Sequence, residues 1–192
     1  ETTPSWIADA HGGCWVGWAD VDNDGDLDLA AVDMLQFPCV FFNNNGNLET
    51  YPSWEASDYN IDLCGAWFDV DKDGDLDLAI GSNAANWPML RIYYNNNGIL
   101  EDIASWTSQT PDTFQCMGVC AGDVENDGWL DIAIGDGVMP FQGAPNFIFK
   151  NMNGALENFP SWISGDIYIT YRLQFCDLNG DGYKELGCAN YY

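Results

Sequence analysis

The sequence predicts an all-β chain, a small β-propeller of four repeats, and three observations carry that prediction. An acidic nine-residue loop occurs four times. A second marker, an Asn-Gly turn followed by a Ser-Trp pair, keeps step with it, and short apolar runs bounded by turn residues fill the space between. The loops open at Asp20, Asp69, Asp123 and Asp177, so successive starts lie 49, 54 and 54 residues apart. A period of about 50 residues built from several short strands marks a propeller, with one four-stranded blade per repeat.

The elements follow in order within a repeat. In the second repeat, an inner strand is expected over 65–69, a second over 78–81, a third over 90–94 and an outer strand over 99–106. Short apolar and aromatic runs such as "CGAWF" and "LAIG" fit strands better than amphipathic helices. Asn-Gly between apolar runs is the strongest local hairpin signal, because a type I′ turn needs φ > 0 at both central positions. It places turns at Asn45-Gly46, Asn97-Gly98 and Asn153-Gly154. Trp6, Trp54, Trp106 and Trp162 share one repeat position, which points to packing between blades. The repeats run approximately over 1–48, 49–100, 101–156 and 157–192, all in one domain spanning 1–192.

The fourth repeat is short by about fifteen residues, those that would form a third strand and its turn. Glu1 aligns with Glu49, Glu101 and Glu157, so the N-terminal strand is expected to close the ring as the outer strand of an incomplete last blade. A vacant strand position leaves unpaired backbone groups and invites strand addition by another chain. A three-stranded last blade, or a tail beyond the sequence, is the alternative.

Each loop offers oxygen side chains at positions 1, 3, 5 and 9, with glycine at 6, an arrangement suited to a hard cation such as calcium. The first set is Asp20, Asp22, Asp24 and Asp28; the second is Asp69, Asp71, Asp73 and Asp77. The third is Asp123, Glu125, Asp127 and Asp131, and the fourth is Asp177, Asn179, Asp181 and Glu185. Position 7 ligates through its carbonyl, so its side chain is free to vary, and it does: Asp26, Asp75, Trp129 and Tyr183. Glycine at 6 permits the sharp turn. An EF-hand is excluded, because position 12 carries Ala31, Ile80, Ile134 and Cys188 instead of a bidentate glutamate. Up to four calcium ions are therefore expected.

The apolar strand, the Asp-rich loop, the "DLAIG" strand and the Asn-Gly hairpin together resemble the FG-GAP/VCBS repeat of integrin α-subunit propellers and of many bacterial extracellular proteins. The resemblance implies a propeller, makes the residues at positions 1, 3, 5 and 9 calcium ligands, and gives Asp26 and its counterparts a carbonyl role. In integrin-type propellers the unit recurs seven times, whereas this chain holds four. Glu125, Asn179 and Glu185 depart from aspartate.

Composition narrows the function. Thirty acidic residues face five basic ones, for a net charge of −25. Nucleic acid is a poor partner for such a chain, since its binding depends on cationic neutralisation of phosphates. No apolar run reaches the eighteen residues of a membrane span, so no membrane insertion is expected. No basic leader opens the sequence, which reads as a mature chain. The four loops hold 17 of the acids, and four calcium ions would bring −25 to −17. Calcium therefore belongs to the stability of the fold, with affinities of about 10⁻⁴–10⁻³ M by analogy with extracellular modules. Such sites fill outside the cytosol, so an extracellular or cell-surface location is expected.

Seven cysteines avoid the repeat frame. Cys176 with Cys188, and Cys116 with Cys120, are candidate disulfides in an oxidising compartment, with one thiol left over; buried free thiols are the alternative. His11 is the only candidate general base and no nucleophile motif accompanies it, so the chain is not read as an enzyme. Trp18 and Trp67 share a register just before loops 1 and 2, which leaves Trp15, Trp87 and Trp129 as the exposed aromatics, and Trp87 as the best ligand-binding candidate. The function expected is a structural or adhesive protein-interaction module joining copies of itself in an oligomer or fibril. A carbohydrate-binding propeller, or a piece of a larger adhesin or receptor, is the alternative.

Overall fold

The apolar runs pair as antiparallel strands in four successive sheets. The computed structural model describes residues 6–8, 13–83, 88–109, 115–138 and 142–191, with fifteen strands and no helix among them. The first sheet is a meander of β1 (Trp15–Ala19), β2 (Asp28–Val32), β3 (Cys39–Phe41) and β4 (Trp54–Glu55). The second repeats it with β5 (Asp62–Phe68), β6 (Asp77–Ser82), β7 (Leu90–Tyr93) and β8 (Trp106–Thr107). The third has β9 (Gln115–Gly122), β10 (Asp131–Val138), β12 (Phe147–Phe149) and β13 (Trp162–Ile163), with a short β11 (Gln142–Gly143) also on β10. The fourth pairs only β14 (Ile169–Cys176) with β15 (Glu185–Tyr191).

The middle strands are buried along their lengths, so the core lies between consecutive sheets. Val32 and Val40 pack with Leu78, Ile80 and Tyr93 between the first two; Phe68 and Ile92 pack with Ile132 and Phe149 between the next two. The leading strands stand side by side, β5 against β1, β9 against β5 and β14 against β9. Gly118 permits the last approach, since a Cβ there would stand 3.0 Å from the Tyr171 carbonyl oxygen. The expected Asn-Gly turns form at all three places, with φ of 55° and 81°, 55° and 80°, and 57° and 91°.

The recurring tryptophan joins one sheet to the next. Trp54 on β4 meets Tyr93 on β7 edge-on at 5.7 Å, and Trp106 on β8 meets Phe149 on β12 at 5.8 Å. Trp6 meets Phe41 on β3 in the same way at 5.6 Å. Trp162 has no third strand to meet among the described residues and stays 43 % exposed. Residues 1–5, expected as a ring-closing strand, lie outside the described residues.

The outer strands are shorter than the sequence suggested. In the second repeat only β8 forms, because the Glu101 carboxylate curls the preceding segment, accepting bonds from Tyr94 N, Ser105 N and Ser105 Oγ. The cysteine pairings also change. Cys116 and Cys120 lie four residues apart on β9, about 13 Å along a strand and beyond disulfide reach. Cys176 faces Glu185, and Cys188 faces Leu173, so those two do not oppose each other. The thiols brought together are Cys64 and Cys116, buried on neighbouring leading strands with sulfurs 3.7 Å apart.

One buried charge cluster pins the link between the first two sheets. Arg91 on β7, 3 % exposed, reaches Asp58 at 3.0 Å and Asp62 at 2.5 Å, and donates to the Tyr93 hydroxyl at 2.6 Å. Ser82 Oγ donates to the same Asp62 oxygen at 2.6 Å.

Candidate metal centres

Each acidic loop closes a leading hairpin, with its position-9 carboxylate on the first residue of the second strand. Ala19 faces Asp28, Phe68 faces Asp77, Gly122 faces Asp131 and Cys176 faces Glu185. The loop backbone then folds around its own carboxylates in one pattern repeated four times. The N–H of position 6 donates to the position-1 carboxylate at 3.1, 3.2, 2.8 and 2.9 Å. The N–H of position 7 donates to position 5 at 2.8, 2.9, 2.8 and 2.9 Å. The N–H of position 2 donates to position 9 at 2.8, 2.8, 2.9 and 2.7 Å. Glycine at position 6 adopts φ between 88° and 102°, as its role in the turn demands. Position 4 is also left-handed at Asn23, Lys72, Asn126 and Gly180, a requirement that three of these four residue types signal.

In loops 1 and 2 the carboxylates converge. Ligand oxygens of Asp20, Asp22 and Asp28 lie within 4.8 Å of one another, and so do those of Asp69, Asp71 and Asp77. Asp24 and Asp73, at position 5, stand outside these tight groups. The decisive atoms are Asp20 Oδ1 and Asp69 Oδ1, both buried and without a hydrogen-bond partner. A buried carboxylate oxygen is costly unless something positive or a donor meets it, so the donor set fits a divalent cation bound among oxygens. Burial, with the neighbouring carboxylates adding to it, holds Asp28, Asp71 and Asp131 above the ordinary carboxylate range and pushes Asp77 up to about 7. A bound cation reverses that balance by favouring the ionised form.

Loops 3 and 4 keep the cage with altered contents. Glu125 at position 3 forms an ion pair with Lys150, and Asp127 N bonds Asp123 instead. Asn179 donates its side-chain amide to Glu185 at 3.0 Å and to Asp181 at 3.1 Å.

The side chains at position 7 have partners of their own. Asp26 accepts the Asn45 N–H at 2.7 Å, and Asp75, 8 % exposed, accepts the Asn97 N–H at 2.5 Å and the Asn23 side-chain amide at 2.7 Å. Trp129, at the same position of loop 3, lies under Lys72 with the ammonium 4.2 Å from its ring centre. Tyr183 is exposed.

A set of asparagines went unassigned at the sequence level. Asn43, Asn95 and Asn151 stand two residues past the ends of the third strands, and each donates its N–H to the position-9 aspartate of its own loop at 2.8 Å. The side-chain amides of Asn95 and Asn151 also reach the position-2 carbonyls of the preceding loops, Val21 at 2.8 Å and Val70 at 2.7 Å. Their signal was the first asparagine of each Asn-x-Asn-Gly run. Of the exposed aromatic candidates, Trp87 lies outside the described residues, as does His11. Trp15 packs into the core between the first two sheets, and Trp18, read as a packing residue, is 55 % exposed.

No curated protein matches the chain. Among solved structures, a chain of "Crystal structure of BBS1N in complex with ARL6DN, soaked with lead" is similar in fold at 12% identity, with a TM-score of 0.56. The match covers 95% of this chain and 52% of that one, so this chain spans about half its length. The family model for the FG-GAP-like repeat matches twice, over residues 20–80 and 69–134. These matches take in three of the four acidic loops and more than half the chain, which belongs to the FG-GAP-like repeat family.

Proposed function

We propose that the chain is a calcium-stabilised β-propeller of four blades, working outside the cell as a structural or adhesive module that joins copies of itself. The observation that carries the calcium reading is the pair of buried, unpartnered oxygens on Asp20 and Asp69, each within a cluster of converging carboxylates. Calcium would supply positive charge to those clusters and tie each leading hairpin shut. Asp20, Asp22 and Asp28 would hold one ion with Asp24 completing the set, and Asp69, Asp71 and Asp77 another with Asp73 completing it; loops 3 and 4 would bind more weakly. Membership in the repeat family and the side-by-side leading strands support the propeller. The role is scaffolding, not catalysis, and the exposed two-stranded fourth sheet is the natural joint between molecules.

Thermal unfolding and negative-stain electron microscopy, each in millimolar calcium and in chelator, test this reading. A large drop in melting temperature on chelation, with ordered rings or filaments that disperse, is the expected result. An unchanged melting temperature would overturn the calcium assignment. Dispersed monomers in both conditions would overturn self-assembly.

A further inference from the structure

At the end of the leading strands away from the acidic loops, one cavity of about 640 Å³ gathers residues from all four sheets. Leu63 comes from β5, Met117 from β9 and Arg172 from β14, while Cys14 extends β1, its N–H donating to the Val32 carbonyl at 2.8 Å. Side chains alternate across a strand. Leu63 and Met117 therefore turn to the cavity, and their neighbours Cys64 and Cys116 turn to the core between the second and third sheets. An antiparallel bridge from Asn83 to Gln115 ties those two sheets together along the cavity wall. The cavity is thus set by the strands that build the fold, and its size falls within the range of small-molecule sites.

Its lining is apolar with a single charge. Met34, Ile61, Leu63 and Met117 supply thioether and branched aliphatic groups, and no carboxylate stands among the described lining residues. Met34 and Ile61 remain 45 % and 40 % exposed, apolar surface that a ligand would remove from water. The charge is Arg172. Acidic residues outnumber basic ones by 30 to five. Arg91 and Lys150 are held by carboxylates, and Lys72 lies over Trp129. Arg172 has no carboxylate partner among the described residues. Its Nη1 donates to the Tyr171 carbonyl at 3.3 Å, which leaves most of its donor fork unclaimed. Carboxylates next to the lining residues in sequence are already engaged: Asp33 accepts the Leu35 N–H at 2.8 Å, and Asp62 holds Arg91.

We propose that this cavity binds a small aromatic carboxylate, with the Arg172 guanidinium taking the carboxylate and the apolar wall taking the ring. Guanidinium and carboxylate match as planar groups joined by two parallel hydrogen bonds. The two thioethers favour an aromatic ring over an aliphatic chain, because methionine sulfur makes favourable contacts at ring edges. The site is separate from the acidic loops and needs no second copy of the chain.

The test is calorimetric titration of the whole chain, in millimolar calcium, with naphthoate and with its uncharged counterpart naphthamide. Saturable one-to-one binding of naphthoate is expected, with naphthamide weaker by about tenfold or more. Arg172→Gln should bring naphthoate down to the level of the amide, and Arg172→Lys should restore part of the difference. Isotope-labelled methionine methyl groups, observed by NMR, locate the ligand. Naphthoate should shift Met34 and Met117 and leave the exposed Met152 in place. Absence of saturable binding, equal affinity for acid and amide, or shifts that spare Met34 and Met117 would each overturn the site. A folded Arg172→Gln variant that still prefers the acid would overturn the role of Arg172.

Discussion

Loop 2 offers a clean separation between a ligand and a structural carboxylate, two residues apart. Asp73 is exposed and occupies position 5, whereas Asp75 is buried and caps two neighbours through Asn97 N and Asn23 Nδ2. Asp73→Ala removes the proposed position-5 ligand and one half-buried hydrogen bond, from Asp75 N. With a dissociation constant of about 10⁻⁴ M, about 10 mM calcium is a hundredfold excess and stabilises a site by about 2.7 kcal/mol. Loss of that site should lower the melting temperature by about 5–10 °C in calcium. In chelator the variant should stay within about 1 kcal/mol of the parent. Asp75→Ala keeps the main-chain carbonyl and loses two bonds to a carboxylate, about 3 kcal/mol together, in calcium and chelator alike. Differential scanning fluorimetry of both variants across a calcium titration reads the contrast. Equal calcium dependence in the two would refute the assigned frame.

Other expectations follow from the rest of the structure. Arg91→Met should destabilise by about 3–5 kcal/mol in urea unfolding, because Asp62 is left buried without its cation. Burial already holds Asp62 above the usual carboxylate range despite Arg91. The folded state therefore prefers it protonated, so the deficit should shrink as the pH falls from 8 towards 5. A deficit that widens on acidification would contradict the burial. Asn95→Ala should weaken calcium binding in loops 1 and 2 together, since its side-chain amide joins the Val21 carbonyl of loop 1 to the Leu76 carbonyl of loop 2; calorimetry showing a change in loop 2 alone would count against the bridge. On oxidative refolding in a glutathione couple, non-reducing peptide mapping should find Cys64 joined to Cys116. That link closes a loop of 52 residues and should add about 4 kcal/mol by chain entropy; a Cys176–Cys188 link would oppose the register of the fourth sheet.

Local requirements were legible in the sequence, and contacts between repeats were not. Gly25 and its counterparts, and the Asn-Gly turns, declared positive φ because few other residues tolerate it. The loop carboxylates declared their convergence through alternate spacing. Asp75 showed only that position 7 varies, since its partners Asn23 and Asn97 belong to the preceding loop and to a later turn. The first asparagine of each Asn-x-Asn-Gly run looked like part of a turn, although two of the three bridge neighbouring sheets. Glu101 looked like part of a strand until its carboxylate was seen bonding the backbone four residues on. Cys64 and Cys116 lie 52 positions apart, and only the packing of β9 on β5 brings them together.

The asparagine bridges make the first three sheets behave as a row of nearest neighbours, each link fastening one loop to the next. Stability in such a chain is a sum of unit and interface terms, so failure starts where a link is missing and travels inward. Among the described residues, no asparagine fastens the fourth loop as Asn95 and Asn151 fasten the second and third. Among the described residues the β14–β15 hairpin is thus the least fastened part of the fold, and local opening there should cost less free energy than opening of the first three sheets.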